Sequence, residues 1–158
     1  MREKTKWLEK YAPPGIDVST EIAWLIGGNV LATLHSMMFL VHYVTARGEL
    51  YERRVSGMVL IEGTVIRGFG ELTAGVFLSM QVVCIIALLV SVYHYFYHYQ
   101  GSKMMYLMKR LPDKWEVHKR CLALPIAGSC ITFVWMMLLK MIYYAIYILC
   151  TPSQCLPL

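Results

Sequence analysis

Three long apolar runs alternate with charged segments along this chain. The runs cover residues 22–44, 73–95 and 122–149, and a single formally charged side chain, Lys140, lies within them. Each run reaches the roughly 20 apolar residues that a helix needs to cross the hydrocarbon core of a bilayer. Because only helices and closed barrels satisfy the backbone in lipid, the pattern predicts an all-α integral membrane protein with three transmembrane helices.

Small residues recur every four positions in the first run. Gly28, Ala32 and Ser36 fall on one side of a helix at this spacing. Small side chains let helix backbones approach closely within a membrane. We therefore expect this side to contact another helix.

The amino-terminal segment, residues 1–16, alternates charged side chains around Trp7, Leu8 and Tyr11. These three positions form a narrow apolar stripe at helical spacing, which is typical of an amphipathic helix on a membrane surface. Pro13 and the proline after it end any such helix, because proline removes a backbone donor.

The first polar loop, residues 46–72, is too rich in charge to enter a bilayer. Two short apolar stretches, residues 58–61 and 64–66, flank Glu62 and Gly63. A two-residue turn with glycine between such stretches predicts a small β-hairpin.

Composition supports a membrane location. Hydrophobic residues make up 58% of the chain and charged residues only 16%, with a mean hydropathy of +0.51. Soluble domains usually contain about a quarter charged residues. The net charge of +5 comes from basic residues at the ends of apolar runs, so it fits lipid headgroups better than nucleic acid.

The distribution of basic residues predicts the orientation. Four precede the first run, four lie in the loop 46–72, six lie in the segment 102–120, and none lies in the tail 151–158. With three spans, a cytoplasmic amino terminus places ten of these charges inside and four outside. The positive-inside rule therefore predicts a multi-pass cell-membrane protein whose amino terminus and segment 102–120 are cytoplasmic.

The segment 102–120 has the features of a helix at the membrane surface. Pro112 suits a first helical position, and Asp113 complements the positive end of the helix dipole. Leu111 and Trp115 are one turn apart and can share a face, while basic residues occupy the rest. This pattern fits an interfacial helix on anionic headgroups, or a docking helix for a cytoplasmic protein.

Candidate chemistry is sparse. His94 and His98 have a spacing that can place two imidazoles on one metal, but their neighbours are interfacial aromatic residues, so we expect neither a metal nor another cofactor. Cys150 and Cys155 flank the external tail and could form a small disulfide in an oxidising compartment. The chain lacks the P-loop, HExxH and GxSxG motifs, and no enzyme is expected.

Lys140 is the intramembrane candidate, since a charge inside a span is often functional. None of the three apolar runs contains a carboxylate that could pair with it. Lys140 therefore either extends its ammonium toward the outer interface or meets an acidic or carbonyl partner on another molecule.

The run HYFYHYQGSKMMYLMKRLPDKWEVHKRCLALPI, within residues 93–126, resembles small bacterial membrane proteins associated with ABC transporter ATPases, which are related in plan to ABC-2 type permeases. The resemblance implies a small transmembrane subunit of an exporter whose segment 102–120 is a coupling helix on an ATP-binding partner subunit. Trp115 would anchor the contact. The implied contact residues are Met108, Lys109, Arg110, Leu111, Pro112, Asp113, Lys114, Trp115, Glu116, His118 and Arg120.

Three spans are fewer than the six that such permeases usually have, so the resemblance also implies a homo-oligomer or a hetero-oligomer with other membrane subunits. The alternative function is a membrane adaptor or regulator that transports nothing and recruits a cytosolic partner through the same basic helix. An independent haem or metal protein is the third alternative.

The orientation predicts a labelling pattern. Single cysteines within residues 47–71, in a background without native cysteines, should react with an impermeant thiol reagent on intact cells. Cysteines within residues 102–120 should be protected until the cells are opened. The opposite pattern would contradict both the orientation and a cytoplasmic coupling segment.

Overall fold

The structure is a computed structural model that describes residues 17–54, 57–61, 63–100 and 116–156. The described chain is mostly helical, with one small antiparallel sheet. The amphipathic helix predicted for residues 1–16 lies outside this range. In chain order the elements are the helices α1 (Val18–Ser36) and α2 (Met38–Gly48), the strands β1 (Tyr51–Arg54) and β2 (Gly57–Leu60), and the helices α3 (Phe69–Leu72), α4 (Leu78–Gln100) and α5 (Glu116–Cys150).

Three helical stretches are long and apolar enough to cross a membrane, as the sequence predicts. They are Val18–Gly48, which contains α1 and α2, Leu78–Phe96 in α4, and Cys121–Cys150 in α5. Large apolar side chains on their outward faces are exposed, including Trp24 at 78% and Leu149 at 82%. This exposure is compatible with a multi-pass membrane protein, because lipid covers such faces.

The first helix begins at Val18, four residues before the apolar run 22–44. The Asp17 carboxylate accepts hydrogen bonds from the Ser19 N–H at 3.1 Å and the Thr20 hydroxyl at 2.7 Å. The bond from Thr20, followed by that from Ser19, holds the pKa of Asp17 below its ordinary value. Asp17 thus caps α1, satisfies one of its free amides and places Glu21 on the helix.

Backbone hydrogen bonding is irregular at two places in the long helices. Between α1 and α2 the Met37 N–H donates to the carbonyl of Leu34, three residues back, and the Ser36 hydroxyl bonds the Thr33 carbonyl at 2.7 Å. Such a side-chain bond to a preceding carbonyl bends helices. Pro125 lies inside α5, where it leaves the ladder one amide short.

The chain divides into two compact units. Unit 1 contains Met1–Leu31 and Met80–Val134, and unit 2 contains Ala32–Ser79 and Trp135–Leu158. In unit 1 the helix backbones pack closely at two glycines. A Cβ atom on Gly28 would lie 3.4 Å from Val83 on α4, and one on Gly128 would lie 2.7 Å from Leu25 on α1.

In unit 2 the predicted contact side of the first span is confirmed. Ala32 and Ser36 are buried, and the same side continues through Phe39 on α2. Aromatic rings fill the interior beside it. Phe39 stacks on Tyr143 of α5 with centroids 4.6 Å apart and meets Phe69 of α3 edge to face at 5.9 Å. Such rings bury large apolar areas, so they contribute strongly to packing in this unit.

A small hairpin is present in the first loop, but the predicted position is wrong. The strands pair Tyr51 with Leu60 and Arg54 with Gly57, so residues 55–56 join them and Gly63 lies beyond the sheet. Gly63 does occupy a turn, with φ of +81°.

A long-range hydrogen bond explains the difference. The Ile66 N–H donates to the carbonyl of Cys155 in the tail at 2.9 Å, so the stretch 64–66 cannot use that amide to pair with the stretch 58–61. The Ile61 N–H instead donates to the carbonyl of Leu50, which adds one hydrogen bond at the end of the β1–β2 pair.

The close packing at Gly128 predicts that a substitution there lowers stability more than the same substitution at Gly27. Gly128→Leu should destabilise the protein by about 1–3 kcal/mol, because the new side chain must displace the half-buried Leu25. Gly27→Leu is the matched control, since a Cβ atom on Gly27 meets nothing within 4 Å. Thermal unfolding in detergent measures both, and equal stability of the two variants would contradict the packing.

Candidate functional site

The predicted coupling segment lies mostly outside the described residues. Residues 101–115 are not described, so the contact roles of the eight residues from Met108 to Trp115 stay predictions. Glu116, His118 and Arg120 lie in the first turns of α5. Their side chains are likewise outside the description, and their contact roles also stay predictions.

The helices on either side of this segment are continuous with the apolar spans. The apolar run 73–95 ends within α4, and this helix runs on to Gln100. The apolar run 122–149 lies within α5, and this helix begins at Glu116. At about 1.5 Å per residue, the helices extend roughly 8 to 9 Å beyond the apolar runs. In the sequence, the basic segment thus lies between two helices that each contain an apolar run.

Lys140 is exposed on α5, and the preceding residue, Leu139, is buried. It has no acidic partner among the described residues. Ten residues separate it from the helix end at Cys150, or about 15 Å along the axis. The side chain is thus on the outward face of unit 2, and its proposed contact with another molecule stays a prediction.

The two cysteines of the predicted disulfide are both free thiols here. Cys150 is exposed and Cys155 is buried. The tail is held instead by the backbone hydrogen bond from Ile66 to Cys155 and by the Thr151 hydroxyl, which meets the Tyr43 hydroxyl at 3.1 Å. The bond between Cys150 and Cys155 is therefore not formed in this structure.

A buried acid–base pair in unit 1 is the feature that the sequence reading missed. His94 on α4 is 1% exposed, and its Nε2 atom is hydrogen bonded to Oε1 of Glu21 on α1. The prediction that no span carries a carboxylate is wrong, because the first apolar helical stretch begins at Val18 and includes Glu21.

The spacing of buried residues on α4 was the available signal. Ala87, Ser91 and His94 are three and four residues apart and all are buried. This is the period of one helix face. A helical period applied to polar as well as apolar residues would have placed His94 in the interior.

Two further polar contacts link the helices of unit 1. The Asn29 amide on α1 donates to the Thr132 hydroxyl on α5 at 3.0 Å. The Cys84 thiol on α4 contacts the carbonyl of Ser129 on α5 at 3.8 Å. Together with Glu21 and His94, these contacts join each pair among α1, α4 and α5.

In unit 2, hydroxyl groups make the equivalent contacts. Ser36 of α1 meets the hydroxyl of Tyr143 of α5 at 2.9 Å, and both side chains are buried. Trp135 of α5 donates its indole N–H to the Thr33 hydroxyl at 3.0 Å. The bond between Ser36 and Tyr143 pairs the buried tyrosine hydroxyl in the interior, whereas the bond of Trp135 lies at an exposed position.

The described residues contain no group of three His, Cys, Asp or Glu side chains that could hold a metal ion. No family model, no curated protein and no solved structure matches this chain. The resemblance of residues 93–126 to ABC-associated membrane proteins therefore stays a prediction from those residues.

Proposed function

We propose that this chain is a small transmembrane subunit of an ABC-type exporter, which couples a cytosolic ATPase to the movement of membrane-spanning helices and has no catalytic activity of its own. The observation that carries the proposal is the continuity of α4 and α5 with the spans on either side of the basic segment. A partner that binds residues 101–115 holds the ends of both helices.

Helix stiffness turns such binding into movement of the spans. The helices α4 and α5 run from outside the apolar runs into them, and in α5 Pro125 removes one backbone hydrogen bond at the start of the run. A displacement applied at Gln100 or Glu116 therefore moves the adjoining span rather than a flexible linker. The polar contacts of Asn29 with Thr132 and of Glu21 with His94 extend that movement to α1.

The segment itself has the composition of an interface. Trp115 and Leu111 supply apolar surface for a pocket on the partner, and tryptophan is the residue type most often found at the energetic centre of interfaces. The surrounding charges, including Lys114, set orientation and the rate of association. The ATPase subunit binds the nucleotide, and its conformational change moves the helices of this chain.

Substitution of Trp115 tests the anchor. Trp115→Ala should weaken the complex with the ATPase by about 2 kcal/mol or more, which is roughly thirtyfold in affinity. Lys114→Ala, next to it in the chain, is the matched control and should reduce affinity far less, since rim charges contribute little. Co-purification of the ATPase from native membranes, at equal abundance of the two variants, measures the difference.

One experimental outcome would refute the role of Trp115, and another would refute the exporter function. Full recovery of the ATPase with Trp115→Ala would refute the anchoring role of this residue. Co-purification of the wild-type chain with a different cytosolic protein, and with no ATPase, would overturn the exporter function in favour of the adaptor. If the segment only lies on lipid, each basic residue that is removed should weaken its attraction to the headgroups by up to about 1 kcal/mol. Trp115→Ala should then release no protein partner.

A further inference from the structure

Lys140 is the formally charged residue of the apolar run 122–149, and it is exposed on the α5 face of unit 2. It forms no ion pair with the described acidic residues. The exposed residues around it on this face, Met137, Met141 and Tyr144, all have large side chains. Close helix contacts in membranes favour small residues, so this face is better suited to lipid chains than to another helix.

Two contacts show which part of the polar loop lies beside this end of α5. The Tyr147 hydroxyl donates to the backbone carbonyl of Arg67 at 3.2 Å. The ring of Phe69 on α3 meets that of Tyr144 edge to face, with centroids 5.2 Å apart. The loop residues 67–69 therefore lie beside the turn of α5 that contains Tyr144 and Tyr147.

The charges of this loop mark the level of the membrane surface. Arg67 and Glu49 form an ion pair at 2.9 Å, and their side chains are 59% and 51% exposed. Glu71 on α3 is exposed as well. Charged side chains of this kind do not face hydrocarbon. The edge of the headgroup region consequently lies near Tyr144, and tyrosine is typical of this level.

We propose that the Lys140 ammonium binds the phosphate of an anionic phospholipid, in the leaflet nearer the carboxyl end of α5. Lys140 comes four residues before Tyr144, which is about 6 Å along the helix axis. The four-carbon stem of a lysine can span such a gap over apolar surface, and local thinning of the bilayer brings headgroups closer to the charge. The proposal goes beyond the exporter function and does not depend on an ATPase.

Charge complementarity selects the class of lipid. A lysine ammonium is a compact positive charge with three donors and no acceptor, so it pairs with phosphate oxygens. In a zwitterionic lipid the cation of the headgroup competes for the same phosphate. An anionic lipid such as phosphatidylglycerol has no such cation, and its negative charge attracts lysine near the surface.

Solid-state NMR tests the contact directly. The full chain with ¹⁵N-labelled lysine is placed in phosphatidylglycerol bilayers and phosphate-free buffer, so that lipid is the only source of phosphorus. The Lys140 signal is assigned by its loss in Lys140→Met. The Nζ atom should lie about 4 Å from a ³¹P nucleus, as a hydrogen bond to a phosphate oxygen requires.

A Lys140 signal that ³¹P does not dephase would overturn the proposal, and this measurement is made on the wild-type chain. Dephasing by ¹³C-labelled carboxylates instead of ³¹P would overturn it in favour of an acidic partner on another copy of the chain.

Lipid selectivity supplies a second readout. Spin-labelled phosphatidylglycerol should associate with the wild type more strongly than spin-labelled phosphatidylcholine in mixed bilayers. Lys140→Met should reduce this preference by up to about fivefold, and Lys140→Arg, which keeps the charge, should retain it. Arg47→Met is the matched control, because it removes an exposed positive charge of unit 2 that lies outside the apolar runs. An unchanged preference in Lys140→Met, or an equal loss in Arg47→Met, would contradict the site.

Discussion

The fold depends on satisfying polar side chains that lie on the inward faces of apolar helices. In unit 1, Glu21 and Asn29 lie eight residues apart on α1, and in unit 2, Ser36 and Tyr43 lie seven residues apart at the end of α1 and on α2. Each meets a polar group on another part of the chain: His94, Thr132, Tyr143 and Thr151, respectively. In an apolar interior an unpaired polar group is costly, so these pairs specify which helix faces meet and at what register.

The sequence predicted the parts of the fold that depend on local composition. The three spans follow from the absence of charge over about 20 residues, and the contact side through Gly28, Ala32 and Ser36 follows from small residues at helical spacing. Both signals need only a few neighbouring positions. For this reason these predictions do not depend on how the rest of the chain folds.

The misses have a common physical origin, which is a partner far away in sequence. Glu21 precedes the uncharged run 22–44 but lies on α1, and its partner His94 is 73 residues later in the chain. The turn at Gly63 is real, but Ile66 pairs with Cys155 of the tail and leaves the predicted hairpin. Local patterns cannot show such pairings, although the helical spacing of Ala87, Ser91 and His94 does indicate which face of α4 is buried.

The same pairs connect the fold to the proposed function. A subunit that receives movement through the ends of α4 and α5 must also move α1, and lipid-like apolar contacts alone allow helices to slide. The pair of Glu21 with His94 and that of Asn29 with Thr132 give α1 fixed contact points on both other helices of unit 1. Under the proposed function, these contacts would transmit a movement of α4 or α5 to α1.

A double-mutant cycle between Asn29 and Thr132 tests this dependence most directly. The free energy of unfolding in bicelles is measured for the wild type, Asn29→Leu, Thr132→Val and the double variant. The hydrogen bond between α1 and α5 predicts that the two substitutions are not additive, with a coupling energy of about 0.6 to 1.7 kcal/mol. Additive losses, with a coupling energy near zero, would contradict the claim that paired polar groups hold these helices together.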